Sequence, residues 1–208
     1  MKKEIPILFS TDMVLAKIEG RKTMTRRIVK GAALRWLDGA PFPPEFVADP
    51  DNGLCPYGKP GDWLYTRETW QHTDCINLNR EDENAGYIYK ASENGRDWES
   101  NTDGWRWKPG IHLPKIGSRL WDEVVAVRIE RLHDITQEDA EKEGLQFDWS
   151  EGKQFKNYTN NKFELGDSRQ SFATLWEKIN GKESWDANPW VWVVEFKVLS
   201  TTGKPENT

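Results

Sequence analysis

The sequence predicts an α+β fold built on a curled antiparallel or mixed sheet. Three observations carry that expectation. Strand and helix signals run along the 208 residues as strand, helix, several strands, helix, helix, strand, without the regular alternation of a doubly wound parallel sheet. Strong β-forming runs stand near both ends, IPILF at 5–9 and WVWVVEFKVL at 190–199. Neither GxGxxG nor GxxxxGK(S/T) occurs, so no phosphate loop supports a Rossmann or P-loop arrangement.

IPILF is short, apolar and suited to a buried strand. STDMVLAKIEG follows as a helix, with Ser10 or Thr11 as N-cap, Val14, Leu15 and Ile18 as its apolar stripe and Gly20 as its stop. GRKTMTRRIVK (20–30) opposes the formal net charge of −5; its Thr and Ile content suits a strand. On charge alone the cluster closes the preceding helix, whose C-terminus attracts cations. Residues 31–60, with APFPPEF and CPYGKPGD, read as an irregular insertion. DWLYTRETW (62–70) is a strand entered by a Gly-Asp turn. Residues 71–104 are polar and turn-rich, interrupted by a strand at GYIYKA (86–91). Val124, Val125, Val127 and Ile129 then argue for a long strand.

TQEDAEKEGL (136–145) is a short helix: Thr136 caps it, Glu138 and Asp139 occupy its first turn, and Gly144 ends it. Residues 146–168 are polar and expected to form a loop. DSRQSFATLWEKING gives an amphipathic helix using Phe172, Leu175, Trp176 and Ile179. The final strand alternates Trp190 and Trp192 with valines, one set facing inward, and a flexible tail is expected at 201–208. Residues 1–200 are expected to form one domain with insertions near 31–60, 71–105 and 146–168.

Only 37% of residues are apolar, but 12 are Trp, 8 Phe and 5 Tyr. Such side chains bury roughly 150–250 Å² each, so an aromatic-rich core is feasible. The two cysteines, Cys55 and Cys75, form no CxxC pair, and no disulfide is expected. The apolar run in MKKEIPILFS is too short for a signal peptide or a membrane span, so a cytoplasmic protein without a membrane partner is expected. A zinc site from His72, Cys75, His112 and Cys55 lacks the close paired spacing such sites use. With only three histidines and no GxSxG, a Ser-His-Asp arrangement has few ways to form. Most tryptophans read as core; Trp63, Trp70, Trp105 and Trp107, in or beside the insertions, are candidates for stacking on a base. Glu143 stands at a helix end that disfavours acids. It gains meaning if Lys22 is near, because a buried Lys–Glu pair can set up proton transfer.

The set LAKIEGRKTMTRR, GDWLYTRETW, RIERLHDITQEDAEKEGL and NPWVWVVEFKVL resembles ASCH-domain proteins of the PUA-like superfamily, and more closely their longer phage- and prophage-associated members. The likeness covers roughly the core half of the chain in the family's order. It implies a small β-barrel flanked by helices, with aromatic-rich insertions and a cleft where the GRKT segment meets the acidic helix. Small bacterial ASCH proteins are amidohydrolases that remove the acyl group from N4-acetylcytidine. Their functional positions match Lys22, Thr25 and Glu143 here, and Arg27 matches the arginine after the second threonine.

That resemblance implies Thr25 as nucleophile, Lys22 as its desolvated base, Glu143 as a binder of the cytosine edge or a proton shuttle, and Arg27 as an oxyanion donor. Arg26, Arg27, Trp63 and Arg67 are the expected substrate-binding residues. Neither metal nor cofactor is expected. Lys22 and Thr25 are three apart, which on a regular strand means opposite faces, so a turn or bulge after Gly20 is required. The competing reading is an RNA- or modified-nucleotide-binding module in which the basic segment holds phosphate and tryptophans hold bases. RNA cleavage by the same Lys/Thr/Glu set is a third.

Overall fold

β-Branched and aromatic runs from distant parts of the chain become one sheet, and the turn-rich stretches between them become its connections. A computed structural model describes residues 2–39, 42–72, 86–92, 106–150 and 152–206. In order these form β1 (Glu4–Leu8), α1 (Thr11–Ile18), β2 (Met24–Ile28), α2 (Gly31–Gly39), α3 (Pro44–Ala48), β3 (Trp63–Arg67), β4 (Trp70–His72) and β5 (Tyr87–Tyr89). They continue with β6 (Trp121–Arg131), α4 (Gln137–Lys142), β7 (Phe147–Asp148), β8 (Gln154–Asn157), β9 (Lys162–Leu165), α5 (Ser168–Asn180) and β10 (Trp190–Ser200).

The main sheet has five strands in the order β1-β3-β6-β10-β2. β1 and β3 are parallel, and the other pairs are antiparallel. β10 is an interior strand, with Trp192 opposite Ile129 on one side and Arg27 on the other. Both faces of this strand are covered. Val191 to Val194 are therefore all buried, rather than one alternating set. No closed barrel forms among the described residues, since β1 and β2 remain sheet edges. A side chain spans the gap between them: Arg27 Nη2 donates to the Leu8 carbonyl at 2.6 Å.

Helix α1 buries Val14 and packs Leu15 on the core as expected, but its inward face is shifted away from Ile18. Met13, Val14, Ala16 and Lys17 are buried, while Ile18 is exposed. The reason is an ion pair: Lys17 Nζ lies 2.6 Å from Asp122 and donates to the Thr66 hydroxyl at 2.6 Å. The same ammonium is 4.7 Å from the Phe9 ring centroid. Burial lowers the pKa of Lys17 and raises that of Asp122, while each group's attraction for the other opposes the shift.

Two expected loops are structured. Within 31–60 stand α2, whose Ala33, Leu34, Trp36 and Leu37 pack on the core, and α3. Residues 146–168 contain the three-stranded sheet β7-β8-β9. Its polar strands hide their periodicity, but Phe155 is buried, and Asn161 takes a left-handed φ of 62° in the turn before β9. Residues 201–206 stay beside the start of β6, where the Gly203 N–H donates to the Arg119 carbonyl at 2.9 Å and Lys204 pairs with Glu4 of β1 at 3.0 Å. No helix among the described residues is long and apolar enough to cross a membrane.

Replacing Lys17 by Ala is expected to cost about 3–5 kcal/mol, because Asp122 is left charged and enclosed. Lys17→Met combined with Asp122→Leu is expected to recover most of that loss. Urea denaturation of the three proteins measures both effects.

Candidate active site

Two helix ends bring the site together. Gly20 ends α1 with φ +73°, and the N–H groups of Arg21 and Lys22 both turn back onto the Ala16 carbonyl at 2.9 and 3.0 Å. Lys22 thus lies in a turn before β2, where it forms an isolated antiparallel bridge with Glu143. Placed outside the strand, it lines the same cavity as Thr25 despite the spacing of three. At the other end, the Thr136 hydroxyl caps α4 by accepting from the Asp139 N–H at 3.1 Å, and Glu143 is the C-cap. Gly144 follows with φ +89°; a Cβ there would lie 2.8 Å from both the Ala16 and Lys22 Cβ atoms. Helix α4 therefore ends directly against Lys22.

Lys22 is 2% exposed. Its Nζ donates to the Met24 carbonyl at 2.8 Å, the Glu143 carbonyl at 2.8 Å and Glu143 Oε2 at 2.9 Å. Three donors meet three acceptors, so the ammonium is fully satisfied. Burial nevertheless pulls the lysine pKa below its ordinary value, with Glu143 opposing and Arg27 and Lys17 assisting.

The second oxygen of Glu143 accepts from Arg26 Nη1 at 3.1 Å. Arg26 was expected to bind substrate, but its guanidinium is enclosed. It also pairs with Glu130 at 2.6 Å and Asp139 at 2.9 Å, and Arg128 touches those same two carboxylates. Burial alone would lower the Arg26 pKa; Glu143 and Glu130 more than offset it, so the net direction is upward. Arg26 is a permanently charged strut that fixes Glu143.

Thr25 is 3% exposed, and its hydroxyl makes no hydrogen bond to any described residue. Arg27, two residues along β2, shares its face. Its Cζ is 5.2 Å from the Phe9 centroid, and it has no carboxylate partner among the described residues. Burial lowers its pKa, with Tyr57 and Glu143 opposing.

Lys22, Thr25, Arg27 and Glu143 line a cavity of about 320 Å³ in the gap between the β1 and β2 edges. That volume is at the small end of ligand pockets, which span roughly 300–1,000 Å³. Leu8, Phe9 and Met13 form one wall; Phe172, Leu175 and Trp176 of α5 form another. Ile179, expected in the core, is 55% exposed and lies at the cavity rim. Tyr57 completes the lining, and burial raises its pKa, which keeps the phenol protonated.

Trp63 and Arg67 do not join the site. Alternation along β3 sends Leu64 to the main core and Trp63 and Tyr65 to a separate cluster with Trp121. Arg67 lies over the Tyr65 ring and donates to the Ile111 carbonyl at 3.3 Å. Trp70 is buried with Tyr89 and Leu113, so it is not a free stacking surface. Trp105 and Cys75 lie outside the described residues. Among the described residues no group of three or more His, Cys, Asp or Glu side chains could hold a metal ion. Burial pushes the Cys55 thiol up to about 11, which leaves it protonated at neutral pH.

The sequence reading missed Phe9, Tyr57 and the α5 wall. Phe9 closes an apolar run and Tyr57 sits in a Pro-Tyr-Gly turn, so neither carries a local signal of function. No protein-family model, curated protein or solved structure matches the chain.

The two glycines are expected to respond differently to alanine. Gly20→Ala meets no neighbouring atom and is expected to cost only the left-handed strain of about 1–2 kcal/mol. Gly144→Ala adds an overpacking penalty of about 1–3 kcal/mol and displaces Lys22. Thermal melts of the two variants give the comparison.

Proposed function

We propose that the protein is a cytoplasmic amidohydrolase that removes the acyl group from an N4-acylated cytosine nucleoside such as N4-acetylcytidine. One observation carries this reading: a buried lysine–carboxylate pair and an internally unbonded threonine hydroxyl line a single nucleoside-sized cavity. The likeness to ASCH-domain amidohydrolases points to the same three residues. In that reading the open sheet corresponds to a small PUA-like barrel whose seam, bridged by Arg27 and Leu8, holds the substrate.

The chemistry follows from the pair. A proton moving from Lys22 Nζ to Glu143 Oε2, 2.9 Å away, leaves a neutral amine next to the cavity. As Thr25 Oγ adds to the acyl carbonyl carbon, its proton passes to that amine and the carbonyl π electrons move to oxygen. The new Lys22 ammonium stabilises the oxyanion in a site of low dielectric. Collapse breaks the acyl C–N bond, and the N4 nitrogen leaves with a proton from Glu143. Water, deprotonated by the same pair, then hydrolyses the threonine ester to free the acid. Arg26 holds Glu143, Arg27 binds substrate, and no step calls on a metal or cofactor.

The RNA-binding reading calls for an open basic groove continuing past Arg26 and Lys30. Its support is weaker, because three carboxylates enclose the Arg26 guanidinium.

Incubation with N4-acetylcytidine, with chromatography of the products, tests the proposal. Cytidine and acetate are expected from the native protein. Thr25→Val removes a hydroxyl without internal partners, so its melting temperature should match or exceed that of the native protein while turnover disappears. Lys22→Met should also be inactive. No release from N4-acetylcytidine, its deoxy analogue or longer N4-acyl forms overturns the reading.

The Thr25 proton goes to Lys22 while the N4 nitrogen takes one from Glu143, so the reactive pair holds one proton, and kcat/KM should fall once pH is high enough to remove it. Since burial lowers this lysine, the fall belongs below its ordinary value of 10.5. The apparent pKa belongs to the Lys22–Glu143 pair rather than to either residue. A pH–rate profile flat up to that value would remove Lys22 as the base.

A further inference from the structure

Charge is unevenly matched inside the cavity. Lys22, Arg26, Arg27 and Lys30 line it, against the single carboxylate of Glu143. Two of these cations are neutralised from within: Lys22 by Glu143, and Arg26 by Glu130, Asp139 and Glu143. Arg27 and Lys30 have no carboxylate partner among the described residues. They stand on the rim side of Thr25, with Arg27 partly buried and Lys30 exposed.

The surroundings sharpen the mismatch. Lys17, Lys22 and Arg27 approach the ring centroid of Phe9 at 4.7, 5.6 and 5.2 Å. Of the three, Lys17 and Lys22 have carboxylates in ion-pair contact, whereas Arg27 bonds the Leu8 carbonyl, lies on the ring face and feels Glu143 only from beyond ion-pair distance. A guanidinium so placed is paired when a ligand brings the missing anion. The apolar side of the cavity, from Phe172 and Trp176, suits a base.

We infer that the ligand carries a phosphate monoester, so that the substrate is a cytosine nucleotide rather than an uncharged nucleoside, with Arg27 and Lys30 holding the phosphate at the rim. This rests on the amidohydrolase reading for its reaction, but not for its charge argument. Two unmatched cations suit a monoester, which carries about −1.5 to −2 at pH 7. A diester within RNA, or a carboxylate on the acyl chain, carries one negative charge and leaves a cation over. At the partly open rim the phosphate keeps some of its water, which limits its desolvation cost.

The test compares kcat/KM for N4-acetylcytidine, its 5′-monophosphate, the nucleoside bearing an N4-succinyl group and a short oligoribonucleotide containing the acetylated base. The monophosphate should be preferred by about tenfold or more. Lys30→Ala and Arg27→Gln should each shrink the ratio of monophosphate to nucleoside. Lys30 is exposed, so Lys30→Ala tests the ratio without loss of fold even if Arg27→Gln melts early. Sodium chloride should raise KM for the monophosphate more than for the nucleoside. Equal kcat/KM for nucleoside and monophosphate, or a preference for the succinyl or oligonucleotide form, overturns the inference.

If no form is hydrolysed, the amidohydrolase reading falls and calorimetry decides the charge question separately. Cytidine 5′-monophosphate binding about tenfold or more tighter than cytidine sustains the inference; equal or undetectable binding of both ends it.

Discussion

A lysine ammonium at 2% exposure is costly unless acceptors meet its protons, and the site depends on that requirement. For Lys22 the acceptors are two backbone carbonyls and the Glu143 carboxylate. Meeting them fixes where α1 stops, how the chain enters β2 and where α4 ends. Gly20 permits the first turn through its positive φ, and Gly144 permits the close approach of the second. The carboxylate is held in turn by Arg26, whose remaining donors are held by Glu130 and Asp139. Such networks are costly when partly satisfied, so each member constrains the others.

β1 and β2 are edges that do not pair, and the cavity occupies the gap they leave. Phe9 and Arg27 stand where a backbone ladder would otherwise run, and α5 covers the opening with Phe172 and Trp176. An unpaired edge is a liability in most sheets. Here the Arg27 bond to Leu8 occupies one edge carbonyl. The half-exposed Ile179 at the end of α5 belongs to that cover rather than to the core.

Lys17 shows how one buried charge redirects a helix. With Asp122 and Thr66 waiting on the sheet, the face of α1 carrying Met13, Val14, Ala16 and Lys17 turns inward, and Ile18 turns out. Lysines are rarely buried, so pattern alone assigns this one to solvent. The polar strands β7 to β9 escaped the same kind of reading, because Asn, Lys and Gln along them blur the period-two signal.

By itself the sequence determined the local elements: the β-runs at 5–9 and 190–199, the Thr136 cap, the stops at Gly20 and Gly144, and the acidic helix that ends at Glu143. These depend on neighbours a few residues away, where propensity and capping act. Local pattern singled out Lys22 and Glu143, and the resemblance to ASCH-domain proteins added Thr25 and Arg27 as residues worth bringing together. Only the tertiary structure decided that they share a cavity, that Arg26 is enclosed, and that Trp63 and Arg67 face elsewhere. The physical reason is that a strand residue's face has meaning only once its neighbouring strands are known. Those neighbours, β6 and β10 above all, lie far along the chain from the residues they orient.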